Sequence, residues 1–155
     1  MSTPTPIQTL YTYLLTAEVK DELGNVLFSG IGSNWIGPGG NTQPSPTVQM
    51  RVLEEEKVPA NERLLLIKSV SAGGGTRFVS DPVFVFAIMG KVGESAAYPE
   101  AYAELLYAAL LKFDHADCIV GIDPMGRIGG AYKSASNRNI YDMEFSVSVS
   151  SGLIL

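Results

Sequence analysis

Asn139-Ile140-Tyr141-Asp142-Met143-Glu144-Phe145-Ser146-Val147-Ser148-Val149-Ser150 is the most regular stretch of this chain. Tyr141, Met143, Phe145, Val147 and Val149 alternate with Asp142, Glu144, Ser146 and Ser148. A period of two belongs to a β-strand with one face buried and the other wet. Such a strand sits in a sheet whose dry face needs an apolar cover, and two segments with helical periodicity can provide it.

The stronger cover is the segment 98–113. Tyr98, Tyr102, Leu105, Leu106, Ala109, Leu110 and Phe113 form one stripe at helical spacing, and Pro99 is tolerated in the first turn. Glu100 and Glu104 come early and Lys112 late, as the helix dipole favours. The second cover is Thr5 to Leu15. Thr5 is an N-cap, Pro6 the first helical residue and Gln8 the capping-box partner, and Ile7, Leu10, Leu14 and Leu15 make the stripe.

Between these helices the signals are those of strands. Val26 and Phe28 suggest a short one, and Val48, Met50 and Val52 alternate toward Glu54-Glu55-Glu56-Lys57, which reads as a solvated strand end. Leu64 to Val70 is an apolar run closed by Gly73-Gly74-Gly75, and Val83 to Met89 is another, so the two form a hairpin. The second run is continuously apolar, which predicts cover on both faces. Asp117 to Ile122 is a short strand, and Pro124 to Arg138 is a loop. The breaker-rich stretch Gly37 to Pro46 reads as a mobile loop. The predicted fold is α+β, a mostly antiparallel sheet of about four to five strands with two helices on one face. Residues 1–155 form a single domain with a flexible Gly/Pro-rich loop at about 37–47.

Composition narrows the function. Charged residues make up 17% of the chain and apolar residues 46%. That charge is low for a fully solvated surface and fits either surface covered by further copies or other proteins, or a small compact domain with a Ser/Thr/Gly-rich surface. A net charge of −5 excludes the overall basic footprint of a nucleic-acid binder. The lone cysteine, Cys118, cannot form an intrachain disulfide. No run reaches the length of a membrane span, and Met1 to Pro6 lacks the charge and apolar core of a secretory signal. These features suit the cytoplasm, or a particle assembled there.

Catalytic and cofactor motifs are weak throughout. His115 and Cys118 lie close together, but a zinc site needs about four ligands and no second His or Cys exists. His115 is more simply a residue beyond a helix C-terminus, and Cys118 a small buried hydrophobe. Gly30-Ile31-Gly32 lacks the third glycine of a dinucleotide fingerprint, and Gly37 to Gly40 lacks the Lys and Ser/Thr of a phosphate loop. No metal, cofactor or catalytic residue is therefore assigned. The loop Pro124 to Arg138 is more informative. It carries Arg127, Lys133 and Arg138 without an acidic residue, and is either a plain exposed connection or an electropositive projection.

The order helix, strands, hairpin, helix, short strand and long strand, ending in Arg138-Asn139-Ile140-Tyr141-Asp142-Met143-Glu144-Phe145-Ser146-Val147, resembles the tail-terminator (tail-completion) proteins of long-tailed bacteriophages. The resemblance is carried mainly by Pro82 to Ser150, and Gly24 to Pro46 does not align. It implies a structural virion protein, not an enzyme, at the head-proximal end of the tail and assembled in the host cytoplasm. It also implies a ring, expected to be a hexamer, that ends the tail tube and offers the surface joined to the head. The implied partners are further copies, the tail tube protein and a head-completion or connector protein. DNA passes only transiently through the lumen, and no membrane is involved. Arg127, Lys133, Arg138, Asp142 and Glu144 are the candidate interaction residues. Two alternatives stay open on the sequence: another head-tail connector or completion protein, and a small-ligand-binding or catalytic α+β domain.

Overall fold

The computed structural model of the protein describes residues 5–70, 79–80, 82–114, 119–127 and 132–150. In chain order its elements are α1 (Pro6–Thr16), β1 (Val19–Lys20), β2 (Val26–Phe28), β3 (Trp35–Ile36), β4 (Thr42–Gln43), β5 (Thr47–Met50), β6 (Leu64–Val70), β7 (Val79–Ser80), β8 (Val83–Met89), α2 (Ala97–Leu111), β9 (Ile119–Arg127), β10 (Tyr132–Lys133) and β11 (Asn139–Ser150). The main sheet has the order β10-β11-β8-β6-β5, with β9 also paired to β11 and β7 to the end of β11. Every pairing in it is antiparallel except β5 with β6. The predicted α+β class, with helices covering a mostly antiparallel sheet, is what the chain adopts.

β11 behaves as its alternation predicts. Tyr141, Met143, Phe145, Val147 and Val149 are buried, and Asp142, Glu144, Ser146 and Ser148 are half-buried on the opposite face. The buried row joins Phe84, Phe86 and Ile88 of β8 and Leu65 and Ile67 of β6 in one core. Both helices close that core. α2 contributes Tyr102, Ala103, Leu106, Ala109 and Leu110, and α1 contributes Ile7, Leu10 and Leu14. A fully buried side chain of this size contributes about 1.5–3 kcal/mol, so this layer dominates the stability of the fold.

Local chemistry explains the helix ends. The backbone N–H of Gln8 donates to Thr5 Oγ1 at 3.3 Å and that of Thr5 to Gln8 Oε1 at 3.1 Å, which completes the predicted capping box. Leu15, expected on the stripe, is instead substantially exposed. Gly30 closes the other end. Its φ is +116°, and a Cβ there would lie 2.1 Å from the carbonyl oxygen of Leu15. The next residue, Ile31, donates its N–H to the Leu14 carbonyl at 3.0 Å, so Gly30-Ile31 forms a backbone cap for α1. The Tyr13 hydroxyl donates to the Ala109 carbonyl at 2.7 Å and ties the two helices together.

Several segments differ from expectation. Gly37 to Pro46 is not wholly an unpaired loop: its Thr42–Gln43 pairs as β4 with β3, which precedes it, and the hairpin is closed by a 3₁₀ turn at Pro38–Gly40. Its anchor is Trp35, whose indole N–H donates to the Pro44 carbonyl at 3.0 Å. β5 stops at Met50, so Val52 lies outside the strand. β9 runs to Arg127, well past Ile122, and accommodates Pro124 beside a bulge in its pairing with β11. The glycines expected to turn the β6–β8 hairpin fall outside the described residues, while the antiparallel pairing itself is present.

Candidate functional surface

The face of the sheet away from the helices has two halves. One half is covered. Leu64 and Leu66 of β6, Ala87 and Met89 of β8 and Ile140 of β11 form a second apolar cluster with Val58. The segment that lies over them is pinned by Gln49, whose side chain accepts from the Glu54 N–H at 2.8 Å and donates to the Glu54 carbonyl at 2.9 Å. The other half carries Lys68, Val83, Val85, Asp142, Glu144, Ser146 and Ser148, all half-buried. This cover accounts for the apolarity of Ala87 and Met89, while Val83 and Val85 face the open half.

Two buried arginines lock the covered end. Each stands one residue before a strand. Arg138, only 2% exposed, spreads its guanidinium across four backbone carbonyls. Nη1 donates to Glu62 at 2.6 Å and Gly90 at 3.0 Å, and Nη2 donates to Val58 at 3.1 Å and Pro59 at 2.9 Å. Nε lies 3.3 Å from Glu55 Oε1. Glu55 also accepts from the Ser134 and Ser136 hydroxyls. Glu55–Lys57 is a 3₁₀ turn, so the acidic run predicted as a solvated strand end instead turns one carboxylate inward.

Arg63 makes the companion lock. Its Nε donates to Glu94 Oε2 and its Nη2 to Gln43 Oε1, each at 3.1 Å. The guanidinium carbon lies 4.8 Å from the ring centre of Tyr98 and 5.5 Å from that of Trp35, so the cation is held between two aromatic faces. Arg63 therefore joins the β3–β4 hairpin, the start of β6 and the start of α2. Sequence patterning does not isolate it, because a single arginine before a strand carries no periodic signal.

The five candidate interaction residues are dispersed by the fold. Arg138 departs from the expected electropositive projection, since its donors are consumed internally. Lys133 is exposed on β10 and its ammonium donates to Asn137 Oδ1 at 3.1 Å. Arg127 ends β9 opposite Met143. Asp142 and Glu144 share the polar face of β11, and Asp142 Oδ2 accepts from the Tyr132 hydroxyl at 2.7 Å. Desolvation, together with the hydrogen bond and charge of Asp142, pushes the Tyr132 phenol up to about 12.

A cleft of about 380 Å³ opens beside Arg138, lined by Glu55, Glu56, Val58, Ala60, Val92 and Ser136. Glu55, Ser136 and Arg138 in its lining are engaged with one another. Among the described residues no group of three or more His, Cys, Asp or Glu side chains could hold a metal. His115 and Cys118, considered above for metal or nucleophile chemistry, lie outside the described residues. Among the described residues no helix is long and apolar enough to cross a membrane.

In this helix-covered sheet the buried arginines fasten segments distant in sequence, and the polar groups lie on one half of the face away from the helices. The chain belongs to the phage tail termination protein family, whose family model matches residues 33–151. That span contains the main sheet, α2 and both arginine locks, and leaves α1, β1 and β2 outside. It also includes part of the breaker-rich region that does not align by the resemblance read from sequence. The family is structural and not catalytic, and its members are components of the phage tail. No curated protein and no solved structure shows significant similarity to the chain.

Proposed function

We propose that this protein assembles as a ring, expected to contain six copies, that ends the phage tail tube and presents the surface to which the head is joined. The observation that carries the proposal is the family match across residues 33–151. Two physical features support it. The low charge content leaves surface suited to burial between copies, and half of one sheet face is uncovered in the single chain. In this reading the ring contacts the tail tube protein on one side and a head-completion or connector protein on the other. DNA passes through its lumen without being bound.

Asp142 and Glu144 on the open sheet face, with Lys133 on β10, are the charged groups offered to these joints, and Arg127, which ends β9, is a further candidate. Arg138 is not among them, because its substitution would act through the fold. The test is polymerisation of purified tail tube protein, followed by electron microscopy. Added at the start, the protein should produce shorter tubes, each closed at one end by a ring. Charge reversal at Asp142 and Glu144 together should weaken capping while leaving the circular dichroism spectrum unchanged. Tubes of unaltered length with no terminal density would overturn the proposal.

A further inference from the structure

We infer that neighbouring copies meet edge to edge across the main sheet, the patch Arg51-Val52-Leu53 of one copy docking on Val120, Asp123 and Met125 of the next. This inference rests on the ring reading above and adds the surfaces that close it. A cyclic ring larger than a dimer needs a heterologous contact, in which two different patches on opposite sides of the subunit complement each other. The sheet order places β5 at one edge and β9 at the other.

Each edge carries the same unusual feature, exposed apolar side chains beside a charge. Beyond β5, Arg51 adopts a left-handed conformation with φ 75°, and Val52 donates its N–H to the Met50 carbonyl at 2.9 Å. This turn leaves Val52 64% and Leu53 42% exposed. On β9, Val120 is 54% and Met125 57% exposed. The charges are opposite. Arg51 and Asp123 are both exposed, and neither side chain has a hydrogen bond or ion pair among the described residues.

The register sets Arg51 near the level of Met125 and Asp123, with Val120 further along the same edge. Arg51 extends β5 by one hydrogen bond, to the Ile67 carbonyl at 2.8 Å. The following rows across the sheet are Lys68–Val85–Glu144–Gly126 and Ser69–Phe84–Phe145–Pro124, so they end on the β9 segment that carries Asp123 and Met125. Strand addition is not the mode of contact. Pro124 has no N–H to offer, and β9 pairs irregularly with β11 at two points. Side chains make the joint instead, with an apolar centre and an Arg51–Asp123 pair that fixes its direction.

The test measures the mass of the full-length chain by size-exclusion chromatography with light scattering, with circular dichroism as the folding check. Asp suits position 51 because it tolerates the left-handed region. Arg51→Asp alone and Asp123→Arg alone should each raise the dissociation constant of the ring by on the order of tenfold or more. The double variant, and an equimolar mixture of the two single variants, should both assemble again, because every junction then joins opposite charges. Single variants that assemble like the wild type would overturn the inference while leaving the ring intact. Loss of assembly that neither the double variant nor the mixture restores would overturn it as well. A wild-type chain that stays monomeric at every concentration would remove the ring reading, and this one with it.

Discussion

Replacing Arg138 by Ala removes the side chain that fastens the crossing segments at one end of the sheet. Four carbonyls, those of Val58, Pro59, Glu62 and Gly90, lose their donor, and Glu55 loses its ion-pair partner. A hydrogen bond to a charged group contributes about 1.5–3 kcal/mol, and simple addition over the four would give roughly 6–12 kcal/mol. That sum is too large. Pro59 and Glu62 are exposed residues, so water can reach their carbonyls once the guanidinium is gone. The loss expected for breaking a buried charged contact, ~3–5 kcal/mol, is the better figure. Against a total stability of roughly 5–15 kcal/mol it is a large fraction. For a chain of this size it lowers the melting temperature by roughly 6–20 °C. Arg138→Lys should lose most of the same energy, because one ammonium cannot span carbonyls on both sides of a planar fork. Urea unfolding followed by the fluorescence of Trp35, the chain's one tryptophan, measures the effect at concentrations where the midpoint is constant. A loss below about 1 kcal/mol for Arg138→Ala would refute the clamp, since surface substitutions rarely exceed that.

Other perturbations address separate parts of the structure. Gly30→Ala forces a Cβ against the Leu15 carbonyl in a left-handed backbone and should cost on the order of 2–3 kcal/mol, read as a lower urea midpoint. Glu94→Gln leaves the Arg63 cation, 4% exposed, without its carboxylate. It should destabilise by several kcal/mol, about 3–5 at most, and shift Trp35 emission, because the guanidinium rests against that ring. The Tyr132 phenol should ionise near pH 12 by ultraviolet titration, and Asp142→Asn should bring it back toward 10. Because its folded pKa lies above the unfolded value, the contribution of Tyr132 to stability is complete below pH 10 and is lost as pH rises to about 12. Desolvation, the larger cause, stays in Asp142→Asn, so an unchanged phenol titration would contradict the share assigned to Asp142.

The layers of this fold are written in short-range periodicity. The alternation of Tyr141 to Val149 assigns the core face of β11, the Thr5–Pro6–Gln8 signal assigns the start of α1, and the stripe from Tyr102 to Leu110 assigns the buried face of α2. Features that depend on residues distant in sequence are not legible in this way. Arg138 and its carbonyl acceptors are 48 to 80 positions apart, so a loop arginine that looks exposed becomes the most engaged side chain at the sheet end. The Glu54-Glu55-Glu56 run misleads for the same reason, since the groups that hold Glu55, Arg138 with Ser134 and Ser136, are distant in sequence. Gly30-Ile31-Gly32 resembles a broken cofactor motif until α1 is seen to end on it. Pro124 suggests a loop because proline interrupts strands, yet a bulge at the sheet edge accommodates it. Alternation alone puts Asp142 and Glu144 on the polar face of β11, but it carries no information about what that face meets.

The mass of the purified protein in solution, alone and with tail tube protein, is the direct test of assembly. A discrete ring of about 100 kDa, six copies of a 16.6 kDa chain, should form and comigrate with the ends of tail tubes. A protein that remains at the mass of one chain at all concentrations and does not associate with the tube protein would contradict it.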